Sequence, residues 1–88
     1  MGIGQKSMKV LEKLYNTLIN SDASSLAITI NTKQFAESIN MTDKEVCQCI
    51  CYLKSAGYVE PMTQLKVTDE IQSTALTAMA IDFLEKSN

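Results

Sequence analysis

The stretch from Asn31 to Val59, NTKQFAESINMTDKEVCQCICYLKSAGYV, constrains this chain most, because its start and stop signals come in a fixed order. Asn31 or Thr32 offers a short side-chain oxygen that can cap a helix N-terminus. Gln34 follows Asn31 at the spacing of a capping box. Phe35, Ala36 and Ile39 then fall on one helical face. Asn40 tolerates the left-handed backbone that ends a helix, and Met41 can plug the angle that follows. Thr42 and Glu45 stand at the spacing of a second capping box. The helix it opens is predicted over 43–56, with Val46, Ile50, Leu53 and Ala56 inward and Cys49 beside them. Lys44, Gln48, Cys51 and Ser55 point the opposite way, with Tyr52 on one flank. Gly57 stops the helix, because glycine takes positive φ without a Cβ penalty. Tyr58 and Val59 are β-formers, and Pro61 is expected to break the regular pattern.

A short helix, a tight turn, an amphipathic helix and a strand are the order of a helix-turn-helix followed by a wing. The flanking sequence fits that frame. A first helix is predicted from 7 to about 21, with Met8, Leu11, Tyr15, Leu18 and Ile19 at helical spacing and Leu14 beside them. Lys9, Glu12, Lys13 and Asn16 populate its other face. Residues 1–6 are expected to be a disordered tail, leaving 7–88 as the domain. Residues 20–25 read as a polar loop, and LAITI at 26–30 reads as the first strand. Residues 62–73 read as a wing loop with strand character, from Leu65, Val67 and Ile71, and 74–76 as the returning strand. Thr77 is expected to cap a last helix, 78–86, whose apolar face is Met79 or Ala80, Ile81, Phe83 and Leu84. The predicted fold is therefore mainly α, a winged helix-turn-helix of about four helices with a small antiparallel β-sheet. Its predicted core is Leu11, Tyr15, Leu18, Phe35, Ile39, Val46, Ile50, Leu53, Ile81 and Leu84.

Two segments also resemble known proteins. T-x-x-x-V-x-x-x-I-x-x-L-x-x-A-G-Y-V, from Thr42 to Val59, resembles the recognition-helix signature of bacterial winged-helix proteins. ALTAMAIDFLE, from Ala75 to Glu85, resembles the close of the YjcQ-like winged-helix group of bacteria and their phages, a strand followed by I-T-x-x-G-I-x-[FY]-L-E. The resemblance runs from Met8 onward and implies a winged-helix fold. It departs at Ala80, where the family often has glycine, a difference that bears on helix stability more than on topology.

Composition bounds the function. Eighty-eight residues make one domain with a modest core, for which dimerisation is expected. A hydrophobic content of 45% suits a globular chain rather than a disordered one. The net charge is −2, and all eight basic residues are lysine. The missing arginine weighs against sequence-specific DNA reading, since arginine is the commonest bidentate partner of guanine. No run reaches the length of a membrane span. No apolar signal-peptide core opens the chain, and Lys6 stands where a myristoylation pattern wants Ser or Thr. A cytoplasmic location is expected, and an odd count of three cysteines agrees with it.

The C-x-C-x-C of Cys47, Cys49 and Cys51 invites a metal reading. Alternate helix residues lie about 200° apart, so the three thiols cannot converge. A zinc site also needs a fourth ligand, and the chain has no histidine. No metal and no cofactor are therefore assigned. Cys47 and Cys51, one turn apart, can share a face. Cys49 reads as a small core residue with Cys47 at its edge, and Cys51 as an outer-face thiol.

The candidate DNA-contact residues are Lys33, Lys44, Gln48, Cys51, Tyr52, Ser55 and, in the wing, Lys66. Glutamine can bond the adenine edge, and lysine can reach phosphate or guanine. Asp43 and Glu45 count against contact, because carboxylates at a helix start repel phosphate. An enzyme is not expected. There is no histidine, no glycine-rich phosphate loop and no nucleophile–base pattern. Two function classes remain. One is a winged-helix DNA-binding protein, a prokaryotic or phage transcriptional regulator acting on double-stranded DNA as a homodimer. The other is a winged-helix protein–protein interaction module that binds no DNA, which the acidic balance suits. A lysine-lined outer face speaks for the first, and an apolar or acidic one for the second.

Overall fold

The structure, a computed structural model, describes residues 2–22, 24–62 and 71–87. Among them the chain runs α1 (Ile3–Ile19), β1 (Ala27–Asn31), α2 (Thr32–Ser38), α3 (Asp43–Ser55), β2 (Val59–Pro61), β3 (Ile71–Leu76) and α4 (Ala78–Ser87). This is the winged helix-turn-helix arrangement that the stop and start signals predict, four helices with a small antiparallel sheet and the expected last helix at the end.

Helices α2 and α3 owe their ends to particular side chains. Asn31 Oδ1 accepts from the Gln34 amide at 3.0 Å and opens α2. Asn40 closes it at φ 58°, where few residues other than glycine settle. The Met41 amide then donates to the Ala36 carbonyl at 2.9 Å, and the Asn40 amide to Glu37 at 3.2 Å. That pair of bonds is a Schellman closure, and it sets the turn between the two helices. Thr42 and Glu45 form the full reciprocal capping box of α3. Gly57, at φ 85°, ends α3 with a second Schellman closure, Tyr58 donating to Leu53 and Gly57 to Lys54.

The three strands lie in the order β1-β3-β2, all neighbours antiparallel. Ile28 pairs with Thr74, and Ile30 with Gln72, in β1 and β3. These four residues are buried, so one sheet face closes the core beside the helices. The core centres on Val10, Leu11 and Leu14 of α1, Val46, Ile50 and Leu53 of α3, Leu76 of β3, and Ala80 and Leu84 of α4. Burying one such large apolar side chain contributes about 1.5–3 kcal/mol.

The structure corrects several sequence expectations. Helix α1 starts at Ile3, so residues 3–6 are helical and not a tail. Ile3, Ser7, Val10, Leu11 and Leu14 continue one helical stripe back to the third residue, with Ser7 fully buried in it. Tyr15, Leu18, Ile39 and Ile81 are only partly buried, because they rim the core rather than fill it. Ala56 is exposed, since α3 ends at Ser55 and the chain turns away. Cys47 does stand at the edge of the core: it is buried beneath the outer face, outside the core cluster, and lines a groove on that face. Pro61 does not interrupt the pattern; it is the last residue of edge strand β2, where a missing N–H is tolerated. Strand β3 begins at Ile71, three residues earlier than expected. Of the two alternatives for α4, Ala80 is the one that faces inward, and Met79 is exposed. The central wing residues, with Leu65, Lys66 and Val67, lie outside the described residues.

Thr77 joins α4 to the rest. Its Oγ1 accepts from the Ala80 amide at 3.2 Å, which makes it the expected cap. The same hydroxyl donates to the Gly57 carbonyl at 2.8 Å, on the turn that ends α3. Thr77→Val keeps the shape and loses these bonds, together with the hydroxyl's 3.2 Å contact to the Tyr58 carbonyl. We expect it to cost about 1–2 kcal/mol, measured as a lower urea midpoint. An unchanged midpoint would show that the Thr77 hydroxyl contributes nothing to the docking of α4.

Candidate functional site

Helix α3 presents one outward stripe. Lys44, Gln48, Cys51 and Ser55 are exposed along it, and Tyr52 on its flank is 43% exposed. All five line a single shallow groove of about 620 Å³. Among the described residues two more line the groove, Cys47 from α3 and Ile3 from the first turn of α1. Lys33 is exposed on the N-terminal turn of α2 but does not line the groove. Lys54 is exposed in the last turn of α3. Lys66 lies outside the described residues.

Ile3 and Cys47 were not among the sequence candidates. The signal for Ile3 was its place one turn before Ser7, obscured because Gly2 and Gly4 flank it and Ser7 reads as polar. Cys47 was legible only as half of an i, i+4 pair with Cys51.

The charge on α3 is arranged differently from the expectation. The Lys6 ammonium of α1 forms an ion pair with the Glu45 carboxylate. The other Glu45 oxygen accepts from the Thr42 amide at 3.0 Å. Glu45 is thus turned back onto the protein and neutralised, leaving Asp43 as the carboxylate at the helix start. The hydrogen bond from Lys6 is the main cause that holds the Glu45 carboxyl below its ordinary value, with the Thr42 amide second. The same bond to Glu45 raises Lys6.

A lowered acid stabilises the fold fully above its unfolded value, near 4.5, and loses that contribution as pH falls through its folded value. A raised base contributes fully below 10.5 and loses it as pH rises through its folded value. Lys6→Met is therefore expected to lower stability slightly at neutral pH, as suits an exposed pair, and to leave the acid end unchanged, so that the acid limb of a stability-against-pH curve flattens. Superimposable acid limbs would show the pair to be without effect in solution.

None of the three cysteines is in a disulfide. Among the described residues, no group of three or more His, Cys, Asp or Glu side chains is placed to hold a metal ion. No described helix is long and apolar enough to cross a membrane. No family model, curated protein or solved structure matches the chain at a significant level.

Proposed function

We propose that this chain is a small winged-helix DNA-binding protein, a transcriptional regulator of bacterial or phage type belonging with the YjcQ-like group. The observation that carries the reading is the exposed stripe of Lys44, Gln48, Cys51 and Ser55, with Tyr52, on the second helix of a helix-turn-helix. That helix is the one such folds lay in the major groove. Lys44 and Gln48, on its N-terminal half, are the base-edge and phosphate candidates. Lys33, exposed on α2, is a further phosphate candidate. The Lys6–Glu45 pair supports the reading, because it removes one of the two carboxylates that oppose phosphate.

Action in the cytoplasm as a homodimer completes the proposal. A symmetric pair doubles the contacts of a weakly charged module. Met79 and Phe83 of α4, 51% and 40% exposed, are the side chains offered to a second copy. Leu84 is not among them, being buried in its own protomer. Selection from random duplex DNA by the purified protein tests the reading, with binding then measured at low salt.

One observation favours a protein partner instead. The groove along α3 takes its walls from Ile3, Cys47, Cys51 and Tyr52 as well as from Lys44 and Gln48. Such an apolar strip suits an amphipathic helix more than a phosphate backbone. The two readings separate on whether any duplex is retained at low salt.

A further inference from the structure

Cys47 and Cys51 lie one turn apart on α3 and line the same groove. At that spacing Cβ atoms are about 5–6 Å apart on one helical face. Cys49 is buried on the core side and takes no part in lining the groove. Cys51 is exposed and gives an entry path, whereas Cys47 is 6% exposed. Behind Cys47, the Gln72 amide Nε2 donates to its Sγ at 3.5 Å. Gln72 is fully buried and fixed in β3 opposite Ile30. A donor held in this way orients a ligand sulfur and supports the negative charge it carries when it binds a metal. Ile3 and Tyr52 line the groove beside the sulfurs, and Lys44 brings a positive charge to it.

We propose that Cys47 and Cys51 form a two-thiolate site for a thiophilic monovalent cation, copper(I). Soft thiolates select copper(I) and zinc among the common metals. Zinc asks for four ligands in a structural site, whereas copper(I) is satisfied by two in a line. On binding, each S–H gives its proton to solvent and each sulfur forms one bond to the metal. The copper enters and remains as copper(I), so no electron moves. The complex of two thiolates and one monovalent cation carries a net charge of about −1, which the Lys44 ammonium offsets. The site stands or falls independently of any binding to DNA.

The test is an anaerobic titration of the full chain with copper(I), in competition with the chromogenic chelator bathocuproine disulfonate. One copper bound per chain, with the protein remaining one chain per copper in sedimentation, is the expected result. Cys51→Ser, at an exposed position, and Cys47→Ala should each lose the competition entirely, while Cys49→Ala keeps it. Gln72→Met should weaken binding by about ten- to a hundred-fold. Circular dichroism on each variant confirms that it is folded. Retention of copper by folded Cys51→Ser would overturn the proposal. So would a stoichiometry of two chains per copper, which marks Cys51 bridging two copies. Failure of the unmodified chain to take any copper from the chelator has the same consequence.

Discussion

Leu53→Ala is expected to destabilise the domain by about 2–5 kcal/mol, the range found when a large side chain is removed from a closed core. Leu53 is 0% exposed and belongs to the cluster that joins α3 to α1 and the sheet. Its removal leaves a cavity between elements whose ends are already fixed by two Schellman closures and a capping box, so little collapse can fill it. The helix preference of alanine offsets a few tenths of a kcal/mol at most. Domains of this size are stable by roughly 5–15 kcal/mol in total, and the variant should melt far below the parent. Ala56→Ser, at an exposed site just past the end of α3, should stay within about 0.5 kcal/mol. Urea unfolding of the two variants side by side checks the pair. A midpoint for Leu53→Ala equal to that of Ala56→Ser would remove Leu53 from the core.

The centre of the fold was legible because its signals are local. Thr42 and Glu45, Asn40 and Gly57 each act on the backbone within a few residues, and they bound α2 and α3 to within a residue or two. The buried stripe Val46, Ile50 and Leu53 follows from the same helix. What was not legible depends on contacts between distant segments. Ser7 is polar in sequence yet fully buried, and Ile3 reads as tail although α1 begins there. Gln72 and Thr74 are polar in sequence, yet both are buried under the helices once β3 pairs with β1. Pro61 reads as a breaker, and only the strand order reveals that it stands on an edge. The site was half legible in the same way. The helical period of α3 places Lys44, Gln48, Cys51 and Ser55 on one side, but the groove also needs Ile3. The Lys6–Glu45 pair spans 39 residues and has no sequence signature.

Affinity for duplex DNA is expected to fall steeply with salt, and the slope counts the copies bound. Each phosphate neutralised by a lysine contributes about −0.9 to the slope of log affinity against log salt. Lys33, Lys44 and Lys54 are the exposed described lysines of α2 and α3. If each makes one contact, one protomer gives a slope of about −2.7, and a fourfold rise in salt weakens binding about forty-fold. Two copies on a symmetric site double the slope to about −5.4, and the same change weakens binding about two-thousand-fold. Lys44→Ala should weaken every sequence alike and reduce the slope by about 0.9 per copy, because a phosphate contact carries no base information. Gln48→Ala should instead relax preference at one position by about 1–3 kcal/mol while leaving the slope unchanged. The absence of arginine keeps the expected affinity modest, so the titration must begin at low ionic strength. Should no duplex be held there above background, with Lys44→Ala indistinguishable from the parent, the stripe on α3 does not bind DNA. The groove walled by Ile3 and Tyr52 then becomes the surface to pursue, with an amphipathic helix as its partner.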